Sequence, residues 1–449
     1  MKNPSDESFT VIAIQFYFRT SSLLLSMADL IIKGGIVLTL DGAVIDNGTV
    51  VVDNGLINYV GNTTKQEAEK VIDARGSLVM PGLINSHTHV PMTLFRGIAE
   101  GLSYPDWMEK IQTLETKLTP SDVRTGAYLG VLEMIRSGTT SFVDMYFHED
   151  EVAHVVKETG MRAALGYGMI EGLNEDANMK LKSREEFVKR WNGAADGRIT
   201  TMYAPHSTMS CSKDFLIKVK ELAARDNSRV HIHVLETEDE LKLMKERFGK
   251  CSVNLLNGIG MLGPHVLAAH CIWLSDDDID ILKNKGVNVV HCPSSNMALS
   301  AGISPILKML GKGINIALGT DGVASSGSLD MWREIRCAWL LHRSKDPQLM
   351  PSSKILEMAT INGARAIGIK AGVLKVGYLA DIIIVDIKKP QFASVDIVSS
   401  LVNGATGCDV KTTIVGGKVL MEDGKVAIFN ENDLIKNARK AMIRITEKN

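Results

Sequence analysis

The sequence predicts an α/β protein: a (β/α)8 barrel carrying a small β-sandwich made from both ends of the chain. Two observations predict the barrel. Between about residues 80 and 370, short apolar runs alternate with helical patterns eight times, as a barrel requires. Chemistry-bearing side chains also fall at the C-terminal ends of those runs, where barrel enzymes place their sites. A third observation predicts the sandwich, because β-branched stretches near residues 28–60 are matched in texture by stretches near 380–386 and 412–420. An open doubly wound sheet is the second choice for the middle.

The 449 residues are 45% hydrophobic and 23% charged, an ordinary globular balance that allows a large core. With a net charge of -2 and no basic block, nothing points to nucleic acid or a membrane surface. Six scattered cysteines with no C-x-x-C pair read as reduced thiols in a cytoplasmic protein. No apolar run reaches the ~18 residues of a membrane span. The domain is expected to begin at Met27, with residues 1–26 an upstream extension that is disordered or a non-native start. The other expected divisions are 27–79 with 372–430 as the sandwich, 80–371 as the barrel and 431–449 as a terminal helix.

Barrel strands are expected at 82–86, 140–145, 162–168, 199–204, 229–234, 266–269, 287–290 and 315–319. The clearest helical patterns lie at 121–137, 213–225, 238–248, 276–285 and 352–367. The first strand leads into Ser86-His87-Thr88-His89. Alternate strand residues share a face, so His87 and His89 converge on one side. His206, His270 and His291 follow the fourth, sixth and seventh strands, the fifth carries His233 near its end with Glu236 just past it, and Asp321 follows the eighth. Core histidines have no reason to gather at one end of so many strands, whereas a metal enzyme requires it.

These residues resemble the amidohydrolase superfamily from Met27 onward. The signatures are Pro-Gly-Leu-Ile-Asn-Ser-His-Thr-His at 81–89, His-x-x-Glu at 233–236, His270, and Gly-Thr-Asp-Gly at 319–322. No lysine stands near the fourth strand as a bridging ligand, so the mononuclear deaminase and chlorohydrolase branch is the better match. Finer marks, at 91–97, Trp107, Glu115, 144–148, 204–207 and 291–296, are similar to the methylthioadenosine/S-adenosylhomocysteine deaminases and their relatives, the 5′-deoxyadenosine deaminases.

The resemblance implies one metal per subunit, zinc first and iron(II) second, held by His87, His89, His233 and Asp321. It implies a hydrolytic deaminase of 5′-modified adenosines (5′-deoxyadenosine, 5′-methylthioadenosine, S-adenosylhomocysteine, adenosine), with metal-activated hydroxide attacking C6. Glu236 would protonate N1, Asp321 would move the water proton, and His270 would steady the intermediate. Glu115 would bind the ribose hydroxyls, His206 the purine or ribose side, and Trp107 would wall the 5′ end. A homo-oligomer is expected. The rival within the superfamily is a guanine- or cytosine-type deaminase or a triazine chlorohydrolase, and outside it a non-catalytic binding protein. The H-x-E and P-C-x-x-C pair of cytidine deaminases is absent.

His231 is read as pointing away from His233, and His291 as bracing a loop or touching substrate. No role is assigned to His148, His154, His265 or His342. Tyr167 stands where a cation for a homocysteine carboxylate is expected, and Lys180, Lys182 and Arg184 are read as surface residues. Uncharged 5′ ends are therefore expected to be preferred.

Overall fold

In the computed structural model, which describes residues 27–171, 177–344, 346, 348–428 and 430–447, eight parallel strands follow one another in sheet order. The expectation for residues 1–26 lies outside the described residues. The strands are Leu83–Thr88, Thr139–Tyr146, Arg162–Met169, Ile199–Pro205, Arg229–Val234, Val266–His270, Asn288–His291 and Ile316–Leu318. They are almost wholly buried, which is why they read as near-continuous apolar runs.

The eighth strand returns to the first, which disposes of the open sheet. A parallel bridge joins Thr88 to Asp321, and the Asp321 N–H donates to the His87 carbonyl at 2.9 Å. Below it, the Asn85 amide donates to Thr320 Oγ1 at 2.7 Å and accepts from the Thr320 N–H at 2.9 Å. Gly319 permits this approach, since a Cβ there would lie 2.7 Å from the His87 backbone nitrogen.

The helices at Pro120–Ser137, Lys213–Arg225, Glu238–Phe248 and Asp276–Lys285 fall where the periodicity put them. The first begins with a Thr119–Asp122 capping box and stops at Gly138 in a left-handed conformation. The stretch 352–367 differs from expectation. It forms two helices, Ser352–Met358 and Ile361–Ile367, broken at Thr360. The break releases the Ala359 carbonyl to accept the Ile84 N–H of the first barrel strand at 2.8 Å. The apolar pattern runs on across the break, so periodicity cannot show it.

Both ends of the chain build one mixed nine-stranded sheet. Its seam is Ser77–Pro81 paired antiparallel with Ile382–Asp386. Ala28–Leu38 is one strand with shifted pairing around Gly35. Its first half pairs with Ala68–Asp73 and its second with Ser77–Pro81, so the sheet forks there. Ile32, Val50, Ile57, Val79, Ile382 and Ile414 form a core of its own. The terminal helix, Glu431–Glu447, packs on Pro120–Ser137 and pairs Arg444 with Asp122.

One buried ion pair couples sheet to barrel. Arg162, first residue of the third barrel strand, donates from Nε and Nη2 to Asp381 at 2.7 and 3.1 Å. Asp381 also accepts the Gly416 N–H at 2.7 Å, and both side chains are almost fully enclosed. Replacing one partner strands the other's charge in the interior, which costs about 3–5 kcal/mol. Asp381→Ala is therefore expected to lose about that much stability in urea unfolding. A loss below about 1 kcal/mol, the range of exposed pairs, would mean that the pair couples nothing.

Candidate active site

The turn from each strand into its following loop places the site side chains at one mouth of the barrel. His87 and His89 come from the first strand, His233 from the fifth, His270 from the sixth and Asp321 from the eighth. His270 and Asp321 hold φ angles of 70° and 63°, a conformation that costs a non-glycine residue roughly 1–3 kcal/mol. The rings of His87, His89, His233 and His270 lie with centroids 4.8–5.4 Å apart. Asp321 Oδ1 is 3.2 Å from both His87 Nε2 and His89 Nε2.

This donor set fits a divalent metal. Ligand atoms of His87, His89 and His233 lie within 4.8 Å of one another, and those of His87, His270 and Asp321 form a second such group. His89 Nδ1 faces the Met145 carbonyl at 2.6 Å and His233 Nδ1 the His206 carbonyl at 2.7 Å. A carbonyl only accepts, so both rings carry hydrogen on Nδ1, and in the neutral form that a metal binds each has its lone pair on Nε2. His87 Nε2 is buried with no hydrogen-bond partner, as a ligand atom awaiting a cation would be. Three imidazoles and a carboxylate are the ligands zinc takes.

The electrostatics agree. Burial alone would raise the Asp321 pKa, but the His87 and His89 rings beside it outweigh burial and hold the carboxylate well below its usual range. Burial opposes charge on His89 too, yet Asp321 lifts that ring to about 9, whereas burial wins at His87 and keeps it at about 4. The carboxylate thus draws positive charge into the cluster.

Outer partners fix the groups that face the cluster. Ser295 Oγ donates to Asp321 Oδ2 at 2.6 Å, and the next residue, Asn296, accepts from His270 Nδ1 at 2.9 Å. Glu236 is pushed above the usual carboxylate range by burial. Tyr104 donates to its Oε2 at 3.1 Å, and its Oε1 lies 4.0 Å from His270 Nε2. The Glu236 N–H donates to buried Glu240 at 3.0 Å, and Glu240 also accepts from Thr208 and Ser252. Tyr104, Glu240, Ser295 and Asn296 were not legible as site residues. Only the alignment of Ser295-Asn296 with the loop after His291 offered a signal.

A cavity of about 520 Å³ opens above the cluster, within the ~300–1,000 Å³ of small-molecule sites. Every residue expected to touch substrate lines it: Trp107, Glu115, His206, Glu236 and Asp321. Burial lifts Glu115 to about 7 against the pull of the Tyr146 hydroxyl. Burial lowers His206 to about 4, leaving that ring neutral at pH 7.

Several expectations are corrected. His231 does not point away from His233. Residues two apart on a strand share a face, and His231 is buried with Nε2 2.7 Å from His87 Nδ1. His148 lines the cavity, and His342 pairs with buried His291 at 2.9 Å, so His291 braces its loop. Lys180 and Arg184 are buried, not surface residues, and both line the cavity. The Arg184 guanidinium stacks 3.8 Å above the Tyr167 ring and donates to the Gly168 carbonyl, while Lys180 donates to the Ile170 carbonyl. Two cationic side chains of the helix Ala177–Trp191 thus lie at the cavity wall that Tyr167 also lines. Lys182 is exposed, as expected.

Among the described residues no helix is long and apolar enough to cross a membrane. The model of the amidohydrolase family matches residues 78–420. A 5′-deoxyadenosine deaminase of Methanosarcina acetivorans is 55% identical over 92% of this chain and 98% of its own. A 5-methylthioadenosine/S-adenosylhomocysteine deaminase of Moorella thermoacetica is 42% identical over 93% of this chain and 99% of its own. Among solved structures, a zinc-bound adenosine deaminase from Xanthomonas campestris superposes with a TM-score of 0.90 at 30% identity, covering 93% of this chain and 99% of its own.

Proposed function

The chain belongs to the amidohydrolase family, and from that premise we propose that it hydrolytically deaminates adenosines modified at the 5′ position, releasing ammonia and the inosine analogue. The observation that carries this reading is the close likeness, over nearly its whole length, to 5′-deoxyadenosine deaminases. It is supported by a cavity in which Glu115 and Glu236 face the His–Asp cluster together.

In this reading His87, His89, His233 and Asp321 hold one metal, zinc by the chemistry of the donors. When bound, it would bring the pKa of a coordinated water from 15.7 toward ~7 and so supply the nucleophile at neutral pH. Burial favours the protonated form of Glu236, and the carboxyl donates its proton to purine N1 so that the ring can accept electrons as C6 is attacked. Asp321, ionised and steadied by Ser295, receives the water proton and passes it toward the departing amine. His270, oriented by Asn296, holds the oxygen that adds to C6. Glu115 accepts from the ribose 2′- and 3′-hydroxyls, His206 lies against the nucleoside, and Trp107 closes the 5′ side.

The deamination is tested by adding zinc-loaded protein to 5′-deoxyadenosine and following loss of adenine absorbance with ammonia release. Stoichiometric ammonia is expected, and Glu236→Gln should lower kcat at least about 100-fold, since N1 protonation is lost. No ammonia from any 5′-modified adenosine would defeat the reading in favour of another ring.

A pH dependence follows from Glu115. Its carboxyl titrates at about 7 and must be ionised to accept two hydroxyls. Binding is therefore present above pH 7 and lost below it, and kcat/KM should fall about tenfold per pH unit on the acid side. Glu115→Gln should flatten that limb while raising KM, and an unaltered nucleoside activity would favour the guanine-type or chlorohydrolase reading.

Arg184 and Lys180 bear on the 5′ group. Their burial at the cavity wall removes the reason to expect discrimination against a charged end. S-Adenosylhomocysteine is thus expected to be a substrate, its carboxylate met by the Arg184 fork. Arg184→Met should raise KM for S-adenosylhomocysteine more than about tenfold and leave 5′-deoxyadenosine within about threefold. Equal losses for both would show that Arg184 only supports Tyr167.

A further inference from the structure

Two rings of the cluster are backed by carbonyls, and the third is backed by another imidazole. Met145 and His206 fix the hydrogen of His89 and His233 outright, since a carbonyl cannot donate. His87 Nδ1 instead meets His231 Nε2 at 2.7 Å. Between two ring nitrogens, one must carry hydrogen and the other a lone pair.

The next contact decides which. His231 Nδ1 lies 3.1 Å from the carbonyl of Leu267, the residue directly across from it on the sixth strand. That carbonyl accepts, so His231 carries its hydrogen on Nδ1 and offers a lone pair at Nε2. His87 is then the donor, with hydrogen on Nδ1 and a bare Nε2. That bare nitrogen is buried, makes no hydrogen bond and lies 3.2 Å from Asp321 Oδ1. The relay runs from the Leu267 carbonyl through His231 to His87, across the sixth, fifth and first strands, with both rings fully enclosed.

We propose that His231 is a positioning residue that sets the tautomer and ring orientation of His87 and so makes His87 Nε2 a metal ligand. The inference rests on reading His87 as a ligand. A carbonyl behind a ligand ring fixes the tautomer by itself, whereas an imidazole does so only while its own far side is anchored. His231 is thus the one contact behind the three ligand rings that a side-chain substitution can remove.

The test measures zinc affinity by chelator competition for the full chain, His231→Leu, His231→Gln and His87→Ala, with thermal melts of each metal-free protein. His231→Leu fills the space but offers no acceptor, and should weaken zinc about 10–100-fold. His231→Gln restores a carbonyl oxygen for the His87 N–H and should return affinity to within about fivefold of the unaltered protein. A role in packing alone would weaken both variants in step with their metal-free melting temperatures. Zinc bound to His231→Leu within about threefold of the unaltered protein, or no recovery in His231→Gln, would overturn the proposal. Undiminished affinity in His87→Ala would instead overturn the ligand reading, and this inference with it. A histidine-labelled nitrogen NMR spectrum of the unaltered zinc-loaded protein gives a second readout that needs no variant. A non-protonated Nε2 on His231 is expected there, and a proton on that nitrogen would overturn the relay.

Discussion

The structure turns on the removal from water of several imidazoles and one carboxylate at a single barrel mouth. Each ring has two nitrogens, and only one can face the centre. The other must find a partner inside the protein, because an unpaired polar group in the interior is costly. The Met145 and His206 carbonyls, the Asn296 amide and the His231 ring are those partners. They belong to the second, fourth, fifth and seventh strands or the loops that follow, so nearly the whole barrel is recruited to orient one cluster.

Closure of the barrel and assembly of the site are the same event. The contact that returns the eighth strand to the first is the Asp321 N–H on the His87 carbonyl. The acidic group therefore cannot reach the imidazoles unless the barrel is shut. At the opposite end, Arg162 and Asp381 fasten the third strand to a sheet whose seam lies just before the first. Residues from both chain termini thus hold the strand that carries His87 and His89.

Much of this was legible, and the reason is geometric. Buried parallel strands are apolar throughout, so each one announces its own end, and a polar residue there stands out. His87, His89, His233, His270 and Asp321 were found that way. What was missed depends on directions that one-dimensional patterns do not carry. His231 was misjudged although strand parity alone places it beside His233. The burial of Lys180 and Arg184 depends on where the helix Ala177–Trp191 packs against the cavity. Tyr104 and Glu240 act through a single hydrogen bond each on Glu236, and such contacts leave no trace in spacing. The break at Thr360 answers a hydrogen bond to Ile84, far away in sequence.

Ser295 and Asn296, consecutive on one short helix, grip Asp321 and His270 separately. The two groups are consequently ganged: whatever moves that helix moves both. A lineage adapting to a new nucleoside cannot retune one of them by altering this loop without disturbing the other. Divergence is channelled elsewhere, toward the helices bearing Trp107 and Arg184, where the cavity wall can be rewritten while the chemistry beneath it stays put.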